Sequence, residues 1–113
     1  MKATIWHNPR CSKSRETLAL LEAAGAEIAT VEYLKAPPER AELERLLAKG
    51  GLAPRDVLRA GEPLAKELAL ADADDDRLLS LMLLHPVLIE RPLVETDKGV
   101  RLGRPPERVR EIL

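Results

Sequence analysis

The single cysteine of the chain, Cys11, lies in the polar stretch His7-Asn8-Pro9-Arg10-Cys11-Ser12-Lys13-Ser14-Arg15, with three cations close by in sequence. A free cysteine is most often a small buried hydrophobe. This one follows a β-prone run and opens a run of helix formers. At a helix N-terminus the orphan N–H groups and the helix dipole favour negative charge, and Arg10, Lys13, Arg15 and a protonated His7 would add to that potential. Such a setting lowers a thiol pKa from about 8.5 toward or below neutrality. Cys11 is therefore expected to be a reactive thiolate. His7, at a strand end, is either structural or tied to the thiol, and the sequence leaves the parts of Arg10 and Arg15 open. Ser14 makes the motif Cys-x-x-Ser, and serine cannot resolve a disulfide, so an oxidised Cys11 needs an outside thiol.

A second constellation lies near the C-terminus. Arg91 precedes Pro92 and Arg104 precedes Pro105, which pushes both arginines toward extended geometry. The segments 93–96 (LVET) and 100–102 (VRL) flank Asp97-Lys98-Gly99 and read as a β-hairpin. A reversal about positions 97 and 98 leaves the two arginines equally far from the turn, hence side by side at one end of the sheet. Like charges placed so repel. An anion forked between the guanidinium groups would offset that cost; the structural alternative is that they face water or pair with Glu90, Glu95 or Glu107.

The elements that must position these groups follow from periodicity and punctuation. Residues 3–7 (ATIWH) form a strand ended by Asn8-Pro9; Glu16 to Ala24 form a helix stopped by Gly25; residues 27–34 alternate as a second strand. That is a βαβ unit with an expected right-handed crossover. Helices are predicted over Glu39 to Lys49, Pro54 to Arg59, Glu62 to Leu70 and Asp75 to Leu84, with His85 at the last helix end and the acidic run from Asp72 to Asp76 at its start. Glu107 to Leu113 form a final helix after Pro105-Pro106. The order is βαβ, helices, ββα.

Composition narrows the function. The 113 residues suffice for one domain, with 45% hydrophobic and 33% charged residues and a formal net charge of -1. A duplex binder would show a basic excess and a single-strand binder would want stacking aromatics, yet the chain has one Trp, one Tyr and no Phe. No nucleic-acid ligand is expected. One Cys and two His without ligand spacing predict no metal. No apolar run suits a signal peptide or a span, so neither membrane nor export is expected, and a lone cysteine fits a reducing cytoplasm.

His7-Asn8-Pro9-Arg10-Cys11, Leu58-Arg59, Glu90-Arg91-Pro92 and Gly103-Arg104-Pro105-Pro106, in this order, resemble the glutaredoxin-dependent arsenate reductase family (ArsC-like), and within it the short YfgD-type members. The resemblance covers essentially the whole chain. It implies an α/β, thioredoxin/glutaredoxin-like three-layer fold: βαβ and ββα halves sharing a mixed sheet in a single domain, with a helical insertion at about 39–86. It further implies Cys11 as nucleophile, Arg59, Arg91 and Arg104 as oxyanion holders, His7 and Ser14 as supports of the thiolate, and Pro92 as a cis-proline. The implied reaction is reduction of arsenate, or a similar oxyanion, with no bound cofactor, glutathione as co-substrate and glutaredoxin as partner. The resistance-type reductases continue beyond the last helix of this chain, which leaves glutathione-linked thiol exchange on another substrate as an alternative. A third is a regulator resembling Spx that binds RNA polymerase, although Ser14 removes the Cys-x-x-Cys switch common there.

Overall fold

The computed structural model describes residues 1–113. Two compact units emerge: a sheet unit, Met1–Ala36 with Arg91–Leu113, and a helical unit, Pro37–Glu90.

In the sheet unit, β1 (Lys2–Trp6), α1 (Ser12–Ala23) and β2 (Glu27–Val31) precede the helical segment, and β3 (Leu93–Thr96) and β4 (Gly99–Leu102) follow it. The sheet order is β2-β1-β3-β4, with β1 parallel to β2 and antiparallel to β3, and β3 antiparallel to β4. It is a mixed sheet, as expected. Alternation along β1 turns Ala3 and Ile5 into a cluster with Leu21 of α1, Val94 of β3, and Val109 and Ile112 of the C-terminal segment. Each large aliphatic buried there contributes about 1.5–3 kcal/mol.

Three local differences from the sequence reading have physical causes. Helix α1 starts at Ser12 rather than Glu16, because its first turn is polar and carries no apolar periodicity to read. It ends as predicted at Gly25, whose φ of 75° lets Gly25 and Ala26 return their N–H groups to Glu22 and Leu21. Strand β2 stops at Val31 rather than 34, since the amides of Lys35 and Ala36 both donate to the Glu32 carbonyl and turn the chain. That turn buries Tyr33 against Trp6, with ring centroids 6.3 Å apart. The C-terminal segment Pro106–Ile112 is a 3-10 helix, not an α-helix. Its buried residues, Pro106, Val109 and Ile112, recur every third position, which matches a helix of three residues per turn. Thr96 Oγ1 fastens it by donating to the Ile112 carbonyl at 2.6 Å.

In the helical unit, α2 (Arg40–Gly50) buries Leu43, Leu46 and Leu47 and ends at Gly51, φ 64°. Next come a short α3 (Pro63–Glu67) and α4 (Asp75–Leu84), the latter with the bounds predicted. Asp74 caps α4 by accepting the Arg77 N–H at 2.8 Å, and His85 caps its C-terminus. The expected helix over Pro54 to Arg59 is only a 3-10 turn, Pro54–Val57, because Leu58 turns extended and bridges Ile89 antiparallel. Similarly, Glu62 to Leu70 is not one helix: Ala69 adopts the left-handed region (φ 54°) and a 3-10 turn follows at Leu70–Asp72.

Candidate functional site

The loop between β1 and α1 is built around Asn8. Its N–H donates to Ser14 Oγ at 3.0 Å, its carbonyl accepts the Cys11 N–H at 3.0 Å, and its Oδ1 accepts the Arg10 N–H at 3.0 Å. Arg15 adds a clamp, Nη1 donating to the Pro9 carbonyl at 3.0 Å, and the His7 N–H donates to Val31 at 2.8 Å. Every turn of the loop therefore has a partner. Cys11 is the extended N-cap residue of α1 (φ −91°, ψ 123°) and is half-buried.

Burial alone would raise the Cys11 pKa. The opposing influences prevail and hold it below the ordinary thiol value: the Ser14 amide, a hydrogen bond from the Arg91 guanidinium, the Lys13 amide, and the charge of Arg91. The sulfur makes no capping bond of strict geometry, so we take these amides as acting on it through field as much as contact. The Ser14 and Lys13 amides belong to the first turn of α1, where free N–H groups favour an anion.

His7 and Ser14 meet each other: His7 Nδ1 and Ser14 Oγ are 2.6 Å apart, and both residues are buried. Burial depresses the His7 pKa, with Glu32 opposing and Arg15 reinforcing. Ser14 influences the sulfur through its backbone amide while its hydroxyl joins His7 to Asn8.

The hairpin delivers the arginines. Leu93 pairs with Leu102, and the Gly103 N–H donates to the Pro92 carbonyl at 2.8 Å, extending the pairing one step further. Arg91 and Arg104 consequently share one end of the sheet, Arg104 Nη1 donating to the Arg91 carbonyl at 3.1 Å. The Arg91-Pro92 and Arg104-Pro105 bonds are both cis. Gly103 has no alternative residue here: a Cβ would lie 2.7 Å from Thr17 Oγ1 and 2.9 Å from Pro92 Cγ. Neither Asn8 nor Gly103 was singled out in the sequence, although Asn-Pro and the Gly ahead of Arg104 were visible there.

Arg59 belongs to the helical unit. Its N–H donates to the Leu88 carbonyl at 2.7 Å, and its side chain lies between Glu90, 3.2 Å away, and Glu62, 3.4 Å away. No group of three or more His, Cys, Asp or Glu side chains is placed to hold a metal ion. No helix is long and apolar enough to cross a membrane.

The chain is similar to known proteins in sequence and in fold. The chain is 52% identical over 116 residues to an arsenate reductase of Rhizobium meliloti, covering 100% of this chain and 82% of that one. It is 47% identical over 112 residues to the uncharacterized protein YfgD of Escherichia coli, covering 96% and 94%. The solved structure of an arsenate reductase from Vibrio cholerae superposes with a TM-score of 0.95 at 49% identity, covering 100% of this chain and 98% of that one, so the fold is thioredoxin-like. The ArsC family model matches residues 6–112, and with these relatives it establishes that the chain belongs to the ArsC family.

Proposed function

We propose that this chain reduces arsenate, using glutathione and glutaredoxin, with Cys11 as the nucleophile. The observation that carries the reading is the Arg91 guanidinium on the Cys11 thiol, with Arg104 anchored to the Arg91 backbone beside it. A tetrahedral oxyanion suits a helix N-terminus flanked by guanidinium groups. The names of the relatives, arsenate reductases in two of the three cases, point the same way.

The reaction divides into steps that the residues can support. Cys11 thiolate attacks arsenic, a sulfur–arsenic bond forms, and one protonated oxygen leaves as water. Arg91 and Arg104 stabilise the remaining oxyanions. The glutathione thiol then displaces a second oxygen as water. A glutaredoxin thiolate attacks the glutathione sulfur: a disulfide forms, the bond from that sulfur to arsenic breaks, and its electron pair stays on arsenic, which becomes trivalent. Water cleaves the remaining sulfur–arsenic bond, releasing arsenite and the thiolate. A serine in place of a resolving cysteine accords with electrons arriving from outside. The family resemblance adds Arg59 as a third oxyanion holder, and His7 and Ser14 as supports of the thiolate.

A coupled assay with arsenate, glutathione and glutaredoxin tests this. Turnover by the wild type that disappears in Arg91→Ala supports both substrate and site. A wild type that leaves arsenate untouched under these conditions refutes the substrate.

A further inference from the structure

A cleft of about 470 Å³ opens in the sheet unit, lined by the loop from His7 to Arg10 and by Glu32, Leu34 and Lys35 from the turn after β2. Its size is that of a small-molecule site. One wall is the peptide that runs directly into Cys11. The mechanism above leaves this cleft unused.

Its charges are mixed in a definite way. Two cations, Arg10 and Lys35, share the lining with one carboxylate, Glu32. The Arg10 backbone is fixed by the Asn8 side chain, while its guanidinium is exposed and forms no ion pair. Lys35 and Glu32 pair at 3.5 Å in an exposed contact, which is easily exchanged for a ligand. Leu34, 42% exposed, is one of only three large hydrophobics left open to solvent, and it faces this cleft.

We propose that this cleft binds the thiol co-substrate as a γ-glutamyl tripeptide. At neutral pH such a peptide carries two carboxylates and one ammonium, the inverse of the two cations and one carboxylate of the lining. Arg10 and Lys35 take the carboxylates, Glu32 takes the ammonium, and Leu34 lies against the aliphatic part. An extended tripeptide spans roughly 10 Å, and the lining of the cleft ends at Arg10, the residue next to Cys11. Two sets of cations then divide the work: Arg91 and Arg104 hold the oxyanion, and Arg10 and Lys35 select the thiol. This assignment rests on glutathione being the co-substrate.

S-methylglutathione cannot form a bond through sulfur and so reports binding apart from chemistry. Titrated into the isotope-labelled full chain, it is expected to shift the amide resonances of Asn8, Arg10, Glu32 and Lys35 saturably. The double variant Arg10→Glu with Lys35→Glu weakens that binding at least tenfold and raises the KM for glutathione at least tenfold, moving the KM for arsenate less than twofold. Shifts centred elsewhere, absence of saturation, or equal binding by the double variant overturn the proposal. Amide dispersion reports folding, and Lys35→Glu alone replaces the double variant if dispersion is lost. Binding in the cleft by a wild type that does not reduce arsenate sinks the reductase reading and keeps the cleft. Glutathione-dependent turnover with a silent cleft does the reverse.

Discussion

The sheet unit and the helical unit handle polar groups in opposite ways. In the sheet unit, polar side chains are buried and bonded to one another or to backbone: His7 with Ser14, Ser14 with the Asn8 amide, Thr17 with the Lys13 carbonyl, Thr96 with the Ile112 carbonyl. In the helical unit the buried side chains are aliphatic, including Leu43, Leu46, Val57, Leu70, Leu78 and Met82, and charged side chains pair at the surface, as where Arg40 joins Glu44 and Asp76, or half-buried, as where Arg59 meets Glu62 and Glu90. A buried polar group that loses its partner costs about 1–3 kcal/mol, whereas an exposed ion pair contributes little. The bonds among His7, Asn8 and Ser14 fix the loop that carries Cys11. The sheet unit can therefore hold chemistry to a tight tolerance, while the helical unit tolerates change.

Substitutions at matched kinds of position sharpen this contrast. The largest effect is expected from Cys11→Ser, which should reduce arsenate turnover to background while leaving the thermal melt within a few degrees of wild type. Arg91→Ala should lower kcat/KM by about 10²–10³, the usual loss when one oxyanion-stabilising donor is removed. Next comes Gly103→Ala, expected to cost about 2 kcal/mol because the added methyl must push Thr17 or Pro92 aside. A drop in Tm of roughly 8 °C would register it. Ser14→Ala should cost a similar about 1–3 kcal/mol, by leaving the Asn8 N–H and His7 Nδ1 without their buried partner. The smallest effect is predicted for Gly61→Ala in the helical unit, where nothing lies within 4 Å of the new methyl. Stability there should change by less than about 1 kcal/mol, and a gain is the expected sign. Equal losses at Gly61 and Gly103 in paired denaturation curves would erase the contrast.

Where a feature depends on local signals, the sequence showed it. Helix α4 was legible because the acidic run from Asp72 to Asp76 and His85 mark its ends, and the hairpin because Asp97-Lys98-Gly99 marks its turn. Equal spacing from that turn was enough to place Arg91 beside Arg104, since register converts sequence distance into proximity. Features that arise only from tertiary approach were not legible. Gly103 is needed because α1 and Pro92 close in on it, and Asn8 becomes a hub only once Ser14 comes round the first helical turn. The stretch from Pro54 to Asp72 misled periodicity because Leu58 leaves helical geometry to bridge Ile89 and Ala69 turns left-handed. The chemical identity of the oxyanion and of the thiol donor came through family resemblance, since guanidinium spacing specifies an anion but not which one.

The central claim concerns the state of one sulfur, and titrating it is the direct test. The rate of Cys11 alkylation by iodoacetamide, followed against pH in the wild type and in Arg91→Ala, reads the thiolate fraction. Because the folded protein favours the deprotonated form, the wild-type rate should reach half its maximum below the ordinary thiol value of about 8.5, and the midpoint should move upward in Arg91→Ala. A wild-type midpoint at or above that value, or a midpoint indifferent to Arg91, would contradict the account.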